Sequence, residues 1–379
     1  MRYLSLFSGI EAASVAWRPL GWTCVGVAEI ERFPCAVLAH HYPGVPNLSD
    51  VSKITDADIT ALGQIDLIVG GFPCQDLSVA GKRKGLRDAD GSYTRSGLFF
   101  EAMRLVRLAR EQCGLRWLLI ENVPGLYSSN AGRDFGELVA EMVGCRFDVP
   151  RDGWRNTGVA AGPNGQVEWA TLDAQWFGLA QRRKRVFALA DFGNWADRPP
   201  VLFIPESLRG HPAPSREAGK AVAAFTANGV GTCGADDNQA QAGHLIAHTL
   251  RGDGFDASED GTGRGTPLVV AQPYTLAIRG RDGGHDLEYR QDGTANALLM
   301  PGGGRGGCGV GAVANATHVR RLTPRECERL QGFPDDYTNI TFRGKPAADG
   351  NRYRALGNSM AVPCMAWIGK RIAAVDASL

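Results

Sequence analysis

The sequence predicts an α/β protein with a Rossmann-like, mostly parallel sheet, into which a smaller β-rich and Gly-rich domain is inserted. Residues 1–190 alternate short apolar runs with helix-length amphipathic segments, a pattern typical of a parallel sheet with helices on both faces. Composition then changes, because 21 of the 49 glycines lie between positions 219 and 311 and no lysine occurs from 221 to 344. After His318 the α/β pattern returns, so the C-terminal segment should complete the first domain.

Five short apolar runs predict the strands of this sheet. They are residues 3–7, 24–29, 65–69, 115–120 and 185–189. The third run ends at Gly70 and Gly71, shortly before Cys74, and the fourth ends at Glu121. Open α/β sheets bind ligands at the carboxyl ends of their strands, so Cys74 and Glu121 are candidates for one site.

Two helices are predicted in the C-terminal segment. Thr323 and Pro324, followed by Glu326, form an N-cap signature that predicts a helix ending at about Gln331. Apolar residues at helical spacing predict a last helix over residues 360–373.

Length, charge and cysteine usage limit the classes of function. The 379 residues can bury a sizeable core without disulfides, and the 41 basic and 40 acidic residues leave any nucleic-acid partner to a local patch. The nine cysteines form no CxxC pair and no zinc-type cluster with histidine, which predicts reduced thiols, no metal and a cytoplasmic location. No apolar run approaches the ~18 to 20 residues of a membrane span, and no secretion signal is recognised, so no membrane partner is expected.

Cys74 is a candidate nucleophile because it follows a strand and the turn Gly70, Gly71, Phe72, Pro73. A cysteine attacks as its thiolate, which nearby cations stabilise. A glycine-punctuated cationic segment comes next, with a composition that suits a loop closing over a phosphate backbone. Its cations are Lys82, Arg83, Lys84, Arg87 and Arg95. Taken alone, a cysteine in such a turn is more often structural than catalytic.

Glu121 ends an apolar strand, where it would be desolvated unless a cation or a hydrogen-bond donor meets it. A carboxylic acid in such a place can donate a proton to a ring nitrogen and make the ring carbons electrophilic. For the residue in isolation, a carboxylate that caps the following turn at Pro124 and Gly125 is an equally good interpretation.

Arg183 and Arg185 would point to one face if residues 182–187 form a strand, and Gln181 precedes them. Two guanidinium groups on one face can stabilise a thiolate, hold a carboxylate and contact a phosphate or base oxygen. A solvated basic edge is the alternative interpretation.

In combination, these motifs resemble those of the cytosine-C5 DNA methyltransferase family, in the family's order and over about two thirds of the chain. Each motif alone is moderately specific, whereas six in order are not accidental. The resemblance implies the fold of the S-adenosyl-methionine-dependent methyltransferases. The matching segments are residues 6–11 (LFSGIE), 71–75 (GFPCQ), 121–125 (ENVPG), 181–185 (QRRKR), 321–334 (RLTPRECERLQGFP) and 357–359 (GNS).

The resemblance implies a covalent mechanism on a cytosine flipped out of the duplex. Cys74 would attack C6, Glu121 would hold and protonate N3, and C5 would take a methyl group from S-adenosyl-L-methionine before its proton and Cys74 leave. Arg185 would orient Glu121 and the cytosine oxygen, and Arg183 would contact the target nucleotide. Flipping is required because a stacked ring cannot be approached from above. The implied DNA-binding residues are Gln75, Ser78, Lys82 and Arg183.

The resemblance also implies an S-adenosyl-L-methionine site beside the first strands. The turn Phe7, Ser8, Gly9 would receive the amino-acid end of the cofactor, and Glu29 would bind its ribose hydroxyls. Glu11 stands where the family usually has glycine, which is a departure from its cofactor turn. The remaining implied contacts are Ile10, Ile30, Asp50, Val51, Pro73, Leu98, Asn358 and Ser359.

The Gly-rich insert occupies the position of the family's target-recognition domain. The expected domains are residues 1–190 for catalysis and cofactor binding, 191–318 for target recognition, and 319–379 completing the catalytic domain. After Lys220 the basic residues of the insert are arginines, the side chain best suited to guanine edges, although acids in the same stretch can pair with some of them. The expected partner is double-stranded DNA, bound by a monomer, with a cognate restriction endonuclease acting on the same site.

Two other functions compete with a DNA methyltransferase of a restriction-modification or phage self-protection system. One is a cytosine-C5 methyltransferase of the same fold that acts on tRNA, and the large insert favours duplex DNA over it. The other is a non-catalytic DNA-binding scaffold. A scaffold would be expected to have a broken nucleophile or acid, and Cys74 and Glu121 are both intact.

Overall fold

The computed structural model describes residues 1–73, 97–203, 247–248, 268–269, 274–281, 284–290, 312–314 and 319–378. Four predicted site residues and the cationic segment around them lie outside these ranges. The four are Cys74, Gln75, Ser78 and Lys82.

A seven-stranded sheet with the strand order β2-β1-β3-β4-β7-β6-β5 forms the centre of the fold. Neighbours from β2 to β4 pair in parallel, and those from β4 to β5 pair antiparallel, so five of the seven strands point the same way. The predicted α/β class with a mostly parallel sheet is therefore confirmed. The strands are β1 (Arg2–Leu6), β2 (Thr23–Ala28), β3 (Leu67–Gly70), β4 (Trp117–Asn122), β5 (Thr157–Gly162), β6 (Gly165–Asp173) and β7 (Lys184–Asp191).

The hairpin of β5 and β6 is absent from the sequence predictions, because its residues carry a weak strand signal. Glu168 interrupts the apolar pattern of β6, yet its side chain is fully buried in an ion pair with Arg198. Arg198 also pairs with Asp191 at 2.8 Å. The charge of Glu168 is thus neutralised by a residue 30 positions away, a long-range contact that local patterns do not report.

Eight α-helices are present in the described ranges. The N-cap prediction is confirmed at Thr323, which forms a capping box with Glu326, and the last helix begins two residues later than predicted. The helices are α1 (Ala12–Trp17), α2 (Arg32–His41), α3 (Asp56–Ala61), α4 (Leu98–Gln112), α5 (Arg133–Val143), α6 (Pro324–Gln331), α7 (Asp349–Asn358) and α8 (Val362–Asp376).

Alternating strand residues divide the core into two apolar layers, one on each face of the sheet. Tyr3 and Leu119 belong to the layer under α1 and α8, whereas Leu4 and Leu118 belong to the layer under α4 and α5. Fully burying an apolar side chain of this size contributes about 1.5 to 3 kcal/mol, so both layers stabilise the sheet.

The C-terminal segment packs on the first helix of the chain. Trp17 is fully buried, and its Nε1 donates a hydrogen bond to the carbonyl oxygen of Met365, 2.8 Å away in α8. A β-carbon at Gly369 would lie 2.4 Å from Trp17 Nε1, so only glycine lets the helices approach this closely. The contact joins the two ends of the chain across the insert, while the predicted domain boundaries stay a prediction.

From position 247 to position 321, the described residues all lie in β-strands. A four-stranded sheet has the order β11-β10-β12-β13, and a two-stranded pair joins β8 and β9. Among the described residues, no helix is long and apolar enough to cross a membrane. The strands are β8 (Ala247–His248), β9 (Leu268–Val269), β10 (Tyr274–Arg281), β11 (Gly284–Arg290), β12 (Ala312–Ala314) and β13 (Val319–Arg321), with β14 (Thr341–Phe342) and β15 (Lys345–Pro346) forming a hairpin further along the chain.

Candidate active site and cofactor cavity

Glu121 lies at the carboxyl end of β4 and forms an ion pair with Arg185. Its Oε1 is 3.0 Å from Arg185 Nε, and the two side chains are 11% and 19% exposed. The antiparallel pairing of β4 with β7 places Glu121 opposite Phe187. Arg185 is two residues before Phe187 on β7, so its side chain lies on the same face of the sheet as that of Glu121. The contact that the resemblance implies between the two residues is therefore present, and a cap on the next turn is not formed by Glu121.

The chain leading to Cys74 passes directly beside the Glu121 carboxyl. A β-carbon at Gly71 would lie 3.0 Å from Glu121 Oε2, so a larger residue would crowd the acid. Asn122 Nδ2 donates a hydrogen bond to the carbonyl oxygen of Phe72 at 3.2 Å, and Asn122 Oδ1 accepts one from Val123 N at 2.8 Å. Asn122 thus ties the end of β4 to the turn that precedes the candidate nucleophile.

Arg183 is part of the interior and does not belong to a solvated basic edge. It is 2% exposed, and its Nη2 donates to the carbonyl oxygens of Gly357 at 3.0 Å and Ser359 at 2.7 Å. Its backbone N donates to the buried Asp173 at 2.9 Å. The guanidinium therefore holds the segment around Asn358 against the sheet, and its contact with a target nucleotide stays a prediction.

Every second residue of the turn after β1 has a left-handed backbone conformation, with φ of +52° at Phe7, +56° at Gly9 and +63° at Glu11. Hydrogen bonds on both sides hold it. Ser8 Oγ donates to the carbonyl oxygen of Ser5 at 2.9 Å and accepts from the backbone N of Ala28 at 3.0 Å. Non-glycine residues at positive φ are strained, and such strain is typical of ligand-binding turns.

Glu29, at the end of β2, closes this turn from the other side. Its Oε2 accepts a hydrogen bond from Gly9 N at 2.8 Å, and its Oε1 accepts from the backbone N of Ile30 and Glu31. Burial raises the pKa of Glu29, and these hydrogen bonds oppose the rise. The side chain of Asn47 holds the backbone of Glu29 through two hydrogen bonds: Oδ1 accepts from Glu29 N, and Nδ2 donates to the carbonyl oxygen of Glu29. Backbone N–H groups thus position the carboxylate that was predicted to bind the ribose hydroxyls.

A cavity opens between the turn after β1, the end of β4 and the segment after α7. Fourteen described residues line it; two of them, Glu11 and Glu121, are acidic, and none is basic. Phe7, Ser8, Gly9, Asn358 and Ser359 were predicted to bind cofactor, and all five line it. The described lining residues are Ser5, Leu6, Phe7, Ser8, Gly9, Glu11, Ala12, Ala13, Val69, Gly71, Glu121, Asn358, Ser359 and Met360.

Other predicted cofactor residues lie outside this lining. Ile10 is fully buried in the layer under α1, so its side chain is a core residue and does not reach the cavity. Val51 is 4% exposed and packs in the opposite layer, while the Asp50 carboxylate accepts hydrogen bonds from Ser52. Those bonds lower the pKa of Asp50. For these residues a cofactor contact stays a prediction.

Three further predicted contacts, Ile30, Pro73 and Leu98, are also outside the described lining. Ile30 is 66% exposed and follows Glu29 in the chain. Pro73 is the last described residue before Cys74, and Leu98 is the first residue of α4. Both are half-buried.

Sequence reasoning missed two residues that shape the site. Asn122 was part of a recognised motif without a role, and its hydrogen bond to Phe72 supplies one. Met360 lines the cavity, and its Cε lies 3.3 Å from the β-carbon position of Gly71. The sequence predicted Met360 as the first residue of the last helix, whereas it lies between α7 and α8, and its place in the cavity wall depends on packing between distant segments.

Replacing Glu29 by alanine is expected to weaken S-adenosyl-L-methionine binding about 10- to 100-fold. The change removes a charged hydrogen-bond acceptor worth about 1.5 to 3 kcal/mol and releases Gly9 N from its partner. Isothermal titration calorimetry measures the affinity. Glu31→Ala is the matched control, because that carboxylate is exposed and pairs with Arg354. Equal affinities for the two variants would contradict the assignment of Glu29.

The fold and this edge of the sheet define a class of methyltransferase. A family model described as C-5 cytosine-specific DNA methylase matches residues 1–192 and 270–374, which is more than half of the chain. The chain belongs to this family. S-adenosyl-L-methionine is accordingly its cofactor.

Several curated proteins are similar to the chain over nearly its whole length. A DNA N-6-adenine-methyltransferase of Escherichia phage P1 is 35% identical, and the match covers 98% of this chain and 61% of that protein. The chain thus spans less than two thirds of the phage protein. Type II methyltransferase M2.BsuMI of Bacillus subtilis is 28% identical over 100% of this chain and 77% of its own. Type II methyltransferase M.HpaII of Haemophilus parainfluenzae is 26% identical, and the match covers 98% of this chain and 88% of that protein.

Solved structures share the fold at low sequence identity. The Dnmt2 methyltransferase of S. pombe superimposes with a TM-score of 0.57 at 16% identity, covering 99% of both chains. The Entamoeba histolytica methyltransferase EhMeth has a TM-score of 0.51 at 14% identity, covering 98% of this chain and 97% of its own.

Proposed function

We propose that the protein is a sequence-specific DNA (cytosine-5-)-methyltransferase, acting in a restriction-modification system or in phage self-protection. It would transfer a methyl group from S-adenosyl-L-methionine to C5 of a flipped-out cytosine. One observation carries the proposal. Glu121, held by Arg185, stands beside Gly71 on the approach to Cys74, in the wall of the cavity that the turn after β1 also lines.

The residues around the cavity fit the cofactor. Gly9, Asn358 and Ser359 lie in its wall, and the backbone N of Gly9 donates a hydrogen bond to the Glu29 carboxylate. A lining with two carboxyls and no described basic residue suits a ligand that carries a sulfonium cation. When bound, the cofactor supplies an electrophilic methyl group on that sulfonium.

The chemistry of the cytosine ring requires a nucleophile and an acid. The Cys74 thiolate would form a bond to C6, and Glu121 would donate a proton to N3 as the electrons of the C5–C6 double bond shift toward C5. The ring carbon C5, which is unreactive in free cytosine, then becomes nucleophilic and takes the methyl group. Arg185 would hold Glu121 in the position that this proton transfer needs.

Product release restores the aromatic ring. C5 carries both the new methyl group and its original hydrogen at that stage, so the hydrogen leaves as a proton to a base. The electron pair re-forms the C5–C6 double bond, the bond from sulfur to C6 breaks, and Cys74 leaves as thiolate. The N3 proton returns to the Glu121 carboxylate, which balances the cycle.

Access to the ring sets the requirement for base flipping. A nucleophile attacks C6 from above the ring plane, and stacked neighbours block that approach in the duplex. The proposed contacts with DNA are those of Gln75, Ser78 and Lys82, which follow the turn at Phe72. Arg183 would act from inside the protein, through the segment around Asn358 that it holds.

A second candidate function is methylation of adenine at N6, because one relative bears that name. Attack by an exocyclic amine needs no thiol bond to the ring, so that chemistry leaves Cys74 without a role. The family model favours C5 of cytosine.

Identification of the methylated nucleoside separates these candidates. Purified protein would be incubated with labelled S-adenosyl-L-methionine and either duplex DNA or tRNA, and the digested nucleosides identified by mass spectrometry. We expect 5-methyldeoxycytidine from duplex DNA, with bisulfite sequencing reporting its sequence context. N6-methyldeoxyadenosine would support the second candidate. Label found in tRNA alone would show that tRNA, and not DNA, is the substrate.

A further inference from the structure

Glu11 is a buried acid in a place where backbone geometry favours glycine. It has a φ of +63° at the start of α1, and it is 1% exposed. Left-handed backbone is strained for a side chain of this kind. The sequence thus keeps a carboxyl group beside the cofactor turn at a conformational cost.

Hydroxyl and backbone donors surround the carboxyl group. Oε2 accepts a hydrogen bond from Ser5 Oγ at 2.7 Å, and Oε1 accepts from Ser14 N at 3.2 Å and Ser14 Oγ at 3.1 Å. No ion pair involves Glu11 among the described residues, and burial raises its pKa to about 7. The other titratable groups that interact with it are neutral acids: Tyr3 on β1, Cys24 on β2, Tyr42 after α2 and Tyr337 after α6.

Glu11 and its partner Ser5 both belong to the wall of the cofactor cavity. The other acid among the described residues of that wall, Glu121, is already neutralised by Arg185, whereas Glu11 has no cationic partner in the same described set. A cation entering the cavity would therefore meet an uncompensated carboxyl group in surroundings of low dielectric constant, where charges interact strongly.

We propose that Glu11 is a specificity-determining residue of the cofactor site, which favours the cationic sulfonium of S-adenosyl-L-methionine over the uncharged thioether of the product S-adenosyl-L-homocysteine. The two molecules differ by this one charge and one methyl group. Discrimination against the product would relieve inhibition after each turnover. The inference rests on the family's cofactor and is independent of which base is methylated.

The sign of the pH dependence follows from this arrangement. The Glu11 carboxyl is protonated below its pKa of about 7 and ionised above it. A bound cation stabilises the ionised form, so binding of S-adenosyl-L-methionine near neutral pH should release part of a proton. Its affinity should rise as pH increases from 6 to 8, while the affinity for S-adenosyl-L-homocysteine should rise less.

Calorimetry on the parent protein and Glu11→Gln tests the proposal. Both ligands would be titrated at pH 6, 7 and 8 in buffers of different ionisation enthalpy, which gives the number of protons released. In the parent, we expect the affinity ratio of cofactor to product to rise about three- to tenfold across this range. In Glu11→Gln the ratio should stay constant, and the difference in proton release should disappear.

Two further variants keep the test decisive. Glu11→Gly accepts the positive φ without strain and should behave like Glu11→Gln, which covers a failure of the glutamine variant to fold. Asp134→Asn changes another buried carboxyl, on α5 and outside the cavity lining, and should retain the parent's pH dependence. Identical ratios and proton release in the parent and both Glu11 variants would overturn the proposal. A parent that binds neither ligand would instead contradict the cofactor site itself.

Discussion

Replacing Cys74 by serine is expected to slow methyl transfer by at least about 10⁴-fold, the scale on which enzymes lose activity without their covalent nucleophile. A thiol is partly ionised near neutral pH and highly nucleophilic, whereas a serine hydroxyl is not without a dedicated base. The change leaves every described residue of the cofactor cavity in place, so affinity for S-adenosyl-L-methionine should change less than about twofold.

Single-turnover assays with labelled cofactor measure this loss. A duplex with 5-fluorocytosine at the target site provides a second readout, because fluorine cannot leave as a proton and the sulfur-bound adduct persists. The parent should form that adduct and Cys74→Ser should not. Cys145→Ser, a change at a partly buried cysteine outside the motifs, should methylate like the parent. A fully active Cys74→Ser protein would remove the covalent mechanism.

Replacing Glu121 by glutamine is expected to lower the rate of methyl transfer by ~10² to 10⁴-fold, the usual contribution of a positioned general acid. Glutamine keeps the size and one oxygen acceptor for Arg185, 3.0 Å away, but it cannot donate a proton to N3 and recover it. Cofactor affinity should be nearly retained.

The matched control for this variant is Glu141→Gln. Glu141 lies on α5 in an exposed ion pair with Arg107, far in sequence from the motifs, and its loss should leave the rate unchanged. Thermal unfolding of both variants shows whether folding is affected. If Glu121→Gln retained full turnover while folding normally, N3 protonation would have to come from another group.

Most of the sheet could be predicted from local patterns. Each of the five predicted runs overlaps an observed strand, and the helix after Thr323 has its predicted bounds. These elements can be predicted because their apolar residues recur at the period of a strand or a helix, and because helix caps use specific side chains. The hairpin of β5 and β6 was missed, because the buried charge of Glu168 is compensated by Arg198, a residue that lies 30 positions further along the chain.

The candidate site was predictable in its residue types and less so in its contacts. The ion pair of Glu121 with Arg185 is a contact that the resemblance implies. Arg183 instead donates hydrogen bonds to the carbonyl oxygens of Gly357 and Ser359 in the interior. Alternation along a strand says which residues share a face. It does not say whether that face meets solvent, a cavity or another segment.

The chain's own order of residues was enough to identify its fold class, its family and the acid and thiol proposed for catalysis, because these depend on short-range patterns and on motif identity. Only the folded molecule shows that Glu11 turns a strained, buried carboxyl toward Ser5 and Ser14 beside the cofactor cavity, or that Asn122 ties β4 to Phe72. Burial and hydrogen bonding between segments distant in sequence decide those properties. Desolvation and dielectric surroundings are properties of packing, and no single stretch of sequence contains them.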